Sequence, residues 1–139
     1  MREATIESTL AQALTKCFPG VVSAYLFGSV ATGRAHRESD VDVGVLLSRD
    51  VHPQPGDRFE ARLRLVGSLR ATVGREVDVV ILNDAPPTLA RHVMTTGRRV
   101  ALLDGEADHA FLRTTLSRAA DIEPFLRRTR RVKLAALAR

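Results

Sequence analysis

The stretch Gly28-Ser29-Val30-Ala31-Thr32-Gly33-Arg34-Ala35-His36-Arg37-Glu38-Ser39-Asp40-Val41-Asp42-Val43-Gly44-Val45-Leu46-Leu47 decides how this chain is read. Its second half is an apolar run with two carboxylates at its mouth. Alternate residues of a strand share a face, so Asp40 and Asp42 project together while Val41, Val43 and Val45 pack behind. Two acids at the start of a buried strand are costly unless a cation sits between them. Hard carboxylate oxygens favour Mg²⁺ in that place. The first half of the stretch offers a Gly-Ser turn, where backbone amides and a hydroxyl can seat phosphate.

A third acid extends the pattern. Glu76-Val77-Asp78-Val79-Val80-Ile81-Leu82 is another apolar strand with a carboxylate near its start. Placed beside the first strand, Asp78 clusters with Asp40 and Asp42. Three carboxylates so arranged outline a two-metal phosphoryl or nucleotidyl transfer site, with metals roughly 3.5–4 Å apart. Hydroxyl attack on the α-phosphate of a nucleoside triphosphate is the chemistry this donor set serves. Asp40 and Asp42 are metal ligands in that reading. Asp78 is a ligand on the acceptor side and helps to deprotonate the acceptor. Ser29 has no Ser-His-Asp context and is read as a phosphate ligand.

Working outward, the remaining elements alternate between helix and strand. Ile6, Leu10, Ala13, Leu14 and Cys17 give a helix over about 5–18, stopped by Pro19-Gly20. Strands are expected at 21–27, 41–47, 77–82 and about 99–103. A short helical turn at 29–32 would end at Gly33. Asp57 caps a helix to about Val73, with Phe59, Leu63, Val66 and Leu69 as its buried stripe and Gly74 at its end. Pro86-Pro87 opens a helix to Thr96. A further helix covers about 108–120, with Phe111, Leu112, Leu116 and Ala119 inward. Pro124 then leaves two readings open: a new helix capped by Asp121, or one helix kinked at the proline.

Composition sets bounds. The chain has 139 residues, 45% hydrophobic and 27% charged, which suits one globular domain with a real core. No 18-residue apolar run exists, so no transmembrane helix is expected, and the compartment by default is cytoplasmic. One cysteine, Cys17, precludes an intramolecular disulfide and is read as core. His36, His52, His92 and His109 are dispersed, so no zinc site is argued. Residues 113–139 hold eight basic and two acidic residues, a net of +6 that leaves 1–112 at −1. Arg outnumbers Lys 19 to 2 along the chain, so a solvated helix or a protein partner is favoured over nucleic acid. Phe125, Leu126, Val132, Leu134 and Leu137 form a second apolar set, read as a partner-binding face or as packing behind the sheet. Homo-oligomerisation stays open.

The Gly28-Ser29-x10-Asp40-x-Asp42 pattern with a later strand Asp78 resembles the DNA polymerase β-like nucleotidyltransferase superfamily. The small size is similar to its minimal nucleotidyltransferase antitoxins, partners of HEPN-domain ribonuclease toxins. That resemblance implies an α/β (α+β) fold, a small mixed sheet backed by helices. It implies a single nucleotidyltransferase domain over 1–139, with a basic helical segment at about 106–139. Its implied activity is transfer of AMP from ATP to a tyrosine of the HEPN toxin, with Mg²⁺ as cofactor, as two ions. Asp40, Asp42 and Asp78 are then catalytic, and Gly28, Ser29 and Arg34 bind the nucleotide. The family often reads Gly-Ser-Arg-Ala-Arg-Gly here. This chain has Val30 and Thr32 at the two arginine positions, and Arg34 or Arg37 would substitute from a shifted position. A protein that blocks its toxin by contact alone, or transfer to a small molecule such as an aminoglycoside, are the alternatives.

Overall fold

The computed structural model describes residues 3–28, 31 and 40–137; the side chains of Glu3, Ala4, Cys17 and Leu134 lie outside that description. The elements run α1 (Glu3–Cys17), β1 (Val21–Phe27), β2 (Val41–Leu47), α2 (Pro55–Val73), β3 (Val77–Ile81), a 3-10 turn (Leu82–Asp84), α3 (Pro87–Thr96), β4 (Arg98–Leu102) and α4 (Gly105–Leu137). The strands form one mixed sheet in the order β3-β2-β1-β4. β1 is antiparallel to both β2 and β4, while β2 and β3 are parallel. A parallel pair needs a crossover, and α2 supplies it between β2 and β3.

β2 is central and apolar on both faces, and all of it is buried except Asp42, which is half-buried. On one face, Val41, Val43, Val45 and Leu47 join Ile6, Leu10 and Leu14 of α1 and Ala61, Leu65 and Leu69 of α2. On the other, Tyr25 and Leu46 join Ala90, Val93 and Met94 of α3, with Phe111 and Leu112 of α4 against them. Gly44 lies under α3, where a Cβ would sit 2.6 Å from a Val93 methyl. The glycine lets α3 settle onto the sheet.

One expected stripe shifts and another loses a member, Leu116. α2 buries Arg58, Ala61, Leu65, Leu69 and Val73, while Phe59 and Leu63 are 57% and 53% exposed. Both stripes have helical period, so spacing alone did not choose between them. The choice follows Arg58, which donates through Nε and Nη2 to the Asp84 carboxylate, each at 2.8 Å, and through Nη1 to the His52 carbonyl at 3.0 Å. Asp57 works from inside the first turn of α2, accepting from the Gln54 N–H at 3.1 Å. α4 is one helix through Pro124. It buries Asp108, Thr115 and Ala119, and Leu116 is largely exposed.

Candidate active site

Phe27 pairs with Asp42, and Asp42 pairs with Asp78 across the parallel strands. Paired residues on neighbouring strands point to the same face, about 4.8 Å apart. Asp42 and Asp78 therefore share the α3 side of the sheet, opposite Val41, Val43 and Val45. Asp40 stands two residues before Asp42, exposed, at the mouth of β2.

Gly28 ends β1 against this pair. Its φ is +78°, in the left-handed region, and a Cβ there would lie 2.2 Å from Asp42 Oδ2. Any larger residue would be strained and would also collide with the carboxylate. The sequence signal of a glycine at the strand end thus has a physical cause in the aspartate opposite. Ser29 and Arg34, the short helical turn at 29–32 and the loop to Ser39 lie outside the described residues.

The electrostatics are unbalanced at Asp42. Burial raises its pKa above the ordinary carboxylate value, and the charges of Asp78 and then Asp40 raise it further. Among the described residues no hydrogen-bond donor or cation meets Asp42. Among the described residues Asp78 pairs with Arg62 of α2, which reaches round the free edge of the sheet. Its Nε donates to the Val79 carbonyl at 2.7 Å and its Nη2 to Asp78 Oδ1 at 3.4 Å. β3 is an edge strand, so Arg62 occupies a carbonyl that otherwise faces water. Among the described residues no three acid, His or Cys side chains close to metal-ligating range. The strands align the carboxylate positions, while Asp78 leans to Arg62.

The arrangement fits a hard divalent cation. Asp42 and Asp78 present hard oxygen donors on one face, like charges raise the pKa of Asp42, and the glycine at 28 lets the end of β1 approach that carboxylate closely. Spacing did not point to Arg62, because the contact joins a helix to a strand 16 residues on and depends on how α2 crosses the sheet edge.

The sequence profile of the polymerase beta nucleotidyltransferase family matches residues 9–105, well over half of the chain. The chain belongs to this family. It is 32% identical over 94 residues to protein adenylyltransferase MntA of Shewanella oneidensis, a match covering 68% of this chain and 63% of that relative. A chain from a crystal structure of a toxin–antitoxin with AMP-PNP superposes with a TM-score of 0.71 and 26% identity, over 96% of this chain and 98% of that one. A chain from the complex of tri-AMPylated Shewanella oneidensis HEPN toxin with MNT antitoxin superposes at 0.66 and 22% identity, over 99% of each. At that identity the last likeness bears on the fold. The four-stranded mixed sheet with helices is the fold these structures share. No helix among the described residues is long and apolar enough to cross a membrane.

A second buried carboxylate went unnoticed in the sequence. Asp108 of α4 accepts from the Ser23 hydroxyl and the Tyr25 hydroxyl, both at 2.6 Å, and Arg99 stands 3.6 Å from its other oxygen. The available signal was the pair of polar residues, Ser23 and Tyr25, alternating within apolar β1 on one face.

Proposed function

We propose that this chain is the antitoxin of a HEPN/MNT pair, a Mg²⁺-dependent protein adenylyltransferase that moves AMP from ATP to a tyrosine of a HEPN toxin encoded beside it. The observation carrying this reading is the Asp42–Asp78 register pair, facing one way, with the backbone of Gly28 against Asp42. The likeness to a protein adenylyltransferase, and to a toxin–antitoxin structure with AMP-PNP, supports the donor and the class of acceptor. We place the reaction in the cytoplasm, where ATP and Mg²⁺ are abundant.

In this reading Asp40, Asp42 and Asp78 hold Mg²⁺. The bound metal supplies charge neutralisation for the triphosphate and a lowered pKa for the acceptor hydroxyl. Gly28 and Ser29 seat the β- and γ-phosphates through backbone amides and a hydroxyl, and Arg34 adds a charge-assisted contact. Asp78, on the edge strand, takes the proton from the tyrosine hydroxyl. The phenolic oxygen then bonds to the α-phosphorus, the bond from that phosphorus to the bridging oxygen breaks, and pyrophosphate leaves with the electron pair. Positioning and electrostatics supply most of the rate gain, as in phosphoryl transfer generally. Arg62 exchanges its contact with Asp78 when that carboxylate turns inward.

The test is to mix the chain with the HEPN protein, ATP and Mg²⁺ and to weigh the toxin by mass spectrometry. Each transfer should add one AMP on tyrosine, and EDTA should stop it. Neutralisation of the toxin with no mass gain would instead identify a protein that acts by contact. Calorimetry supplies a second readout: ATP should bind far more weakly in EDTA, and equal affinity would show that the carboxylates hold no metal.

A further inference from the structure

α4 is 33 residues long, but the sheet uses only its first half. From Asp121 to Leu137, no residue with a described side chain is buried, and Ile122, Glu123, Leu126 and Thr129 are only partly covered. Glu123 ties the helix to the body through Arg91 at 3.4 Å, and Arg127 joins it at 2.8 Å, one turn on. Beyond that point the helix runs free of packed neighbours. A free helical segment of this length is marginal in water on its own, because most helical stability in proteins comes from a packed face.

The free half carries such a face. Ile122, Phe125, Thr129, Val132 and Ala136 recur at three- and four-residue steps, so they line one side of the helix. Phe125 is 64% exposed and Val132 65%. Arg128 flanks the seam, and on the side of the helix away from it Ala120, Glu123, Pro124, Arg127, Arg128 and Arg131 line a groove of about 360 Å³. Residues 124–137 hold five cations and no anion. Arg128, Arg130 and Arg131 make no ion pair among the described residues.

We propose that the C-terminal half of α4 is the arm that docks the acceptor protein, gripping an acidic surface that flanks an apolar groove. The inference rests on the reading that this chain acts on a partner protein. Charge selects the occupant. A second copy would bring five cations against five, a repulsion that the seam would have to overcome. RNA would satisfy the arginines but leave Ile122, Phe125 and Val132 in water, where apolar side chains gain nothing from a phosphate backbone. An acidic protein meets both features. Its charges attract the arm over about a Debye length, roughly 8 Å at physiological salt, and its groove covers the seam, as when an amphipathic helix lies in an apolar cleft.

The test uses the full chain and the HEPN protein proposed above as its acceptor, with binding followed by calorimetry at low and high salt. Arg128→Glu with Arg131→Glu should weaken binding at least tenfold and flatten its salt dependence. Phe125→Asp with Val132→Asp should weaken it at least tenfold at every salt concentration. Both variants should keep wild-type ATP affinity and thermal midpoint, since none of these side chains packs on the body. Variants that bind within twofold of wild type would overturn the docking arm and leave the proposed activity standing. Binding lost in the variants, with no AMP transferred by wild type, would support the arm and remove the transfer reading. A wild-type chain that ignores the HEPN protein would overturn both. A 20-nucleotide RNA released by charge reversal while protein binding is unchanged would overturn the arm, as would a wild-type dimer dissolved by Phe125→Asp.

Discussion

Two carboxylates, one buried and one half-buried, sit over the same face of one sheet and live in opposite circumstances. Asp108 is buried and saturated. Two hydroxyls from β1 donate to it at 2.6 Å and Arg99 of β4 stands beside it, so it pins α4 to the sheet. Asp42 is less buried, yet it faces two more acids and no described donor, and its pKa is raised. A carboxylate whose hydrogen bonds are complete is a structural part; one left among like charges is where we propose that a cation binds. The fold uses the same side chain for both ends by changing what surrounds it.

The largest way to break this comparison is at the unbalanced end. Asp40→Asn with Asp42→Asn should lower AMP transfer by about 10³-fold or more, because the charge that the metal would need is gone. Circular dichroism should show the fold unchanged. Retained transfer by the double variant would remove Asp40 and Asp42 from the chemistry.

At the saturated end the cost should appear in stability. Asp108→Ala strands the Ser23 and Tyr25 hydroxyls in the interior, and should destabilise by about 3 kcal/mol in urea denaturation. A loss well below 1 kcal/mol would mean that the network is incidental to how α4 is held.

Tyr25→Phe should cost less, about 1 kcal/mol, since Asp108 keeps Ser23 and Arg99. Its pH dependence sharpens the point. The Tyr25 hydroxyl is pushed up from 10.0 to about 12, by burial first and then by Asp108. A raised pKa means that this stabilisation is complete below the unfolded value, near pH 10, and is lost as pH rises through about 12. The wild type should show this alkaline loss, and Tyr25→Phe should lack it.

The smallest effect has the opposite sign. Asp42→Asn alone should stabilise the unliganded protein at pH 7 by a few tenths of a kcal/mol, after solvent screening is allowed for. The raised pKa of Asp42 means that its ionised form opposes folding, so the gain should shrink as pH falls and wild-type Asp42 takes up its proton. A variant less stable than wild type at neutral pH would mean that Asp42 is a structural ligand like Asp108, and the contrast would collapse.

Much of the scaffold was legible along the chain. Apolar runs with period two and stripes with helical period, punctuated by Pro19-Gly20, Gly74 and Pro86-Pro87, placed the four strands, α1, α2, α3 and the start of α4 within a few residues. The acids at the mouths of β2 and β3 stood out because a carboxylate inside an apolar strand is expensive, and expense of that kind is visible in one dimension.

Other features needed the third dimension. Whether α2 buried Phe59 and Leu63 or Ala61 and Leu65 was undecidable from period, since both stripes repeat alike; the Arg58–Asp84 pairing settles it across 26 residues. Pro124 could have ended a helix, and only the path of α4 shows it continuing. Arg62 reaches Asp78 because a crossover helix brings it over the sheet edge, and Asp108 finds Ser23 and Tyr25 across more than 80 residues. The sequence by itself determined the elements, the central buried strand and the acids at its mouth, because local period and the cost of burying charge act on neighbours in the chain. Tertiary structure decided which of the carboxylates is satisfied and which is left waiting, because hydrogen-bond partners are chosen by distance in space.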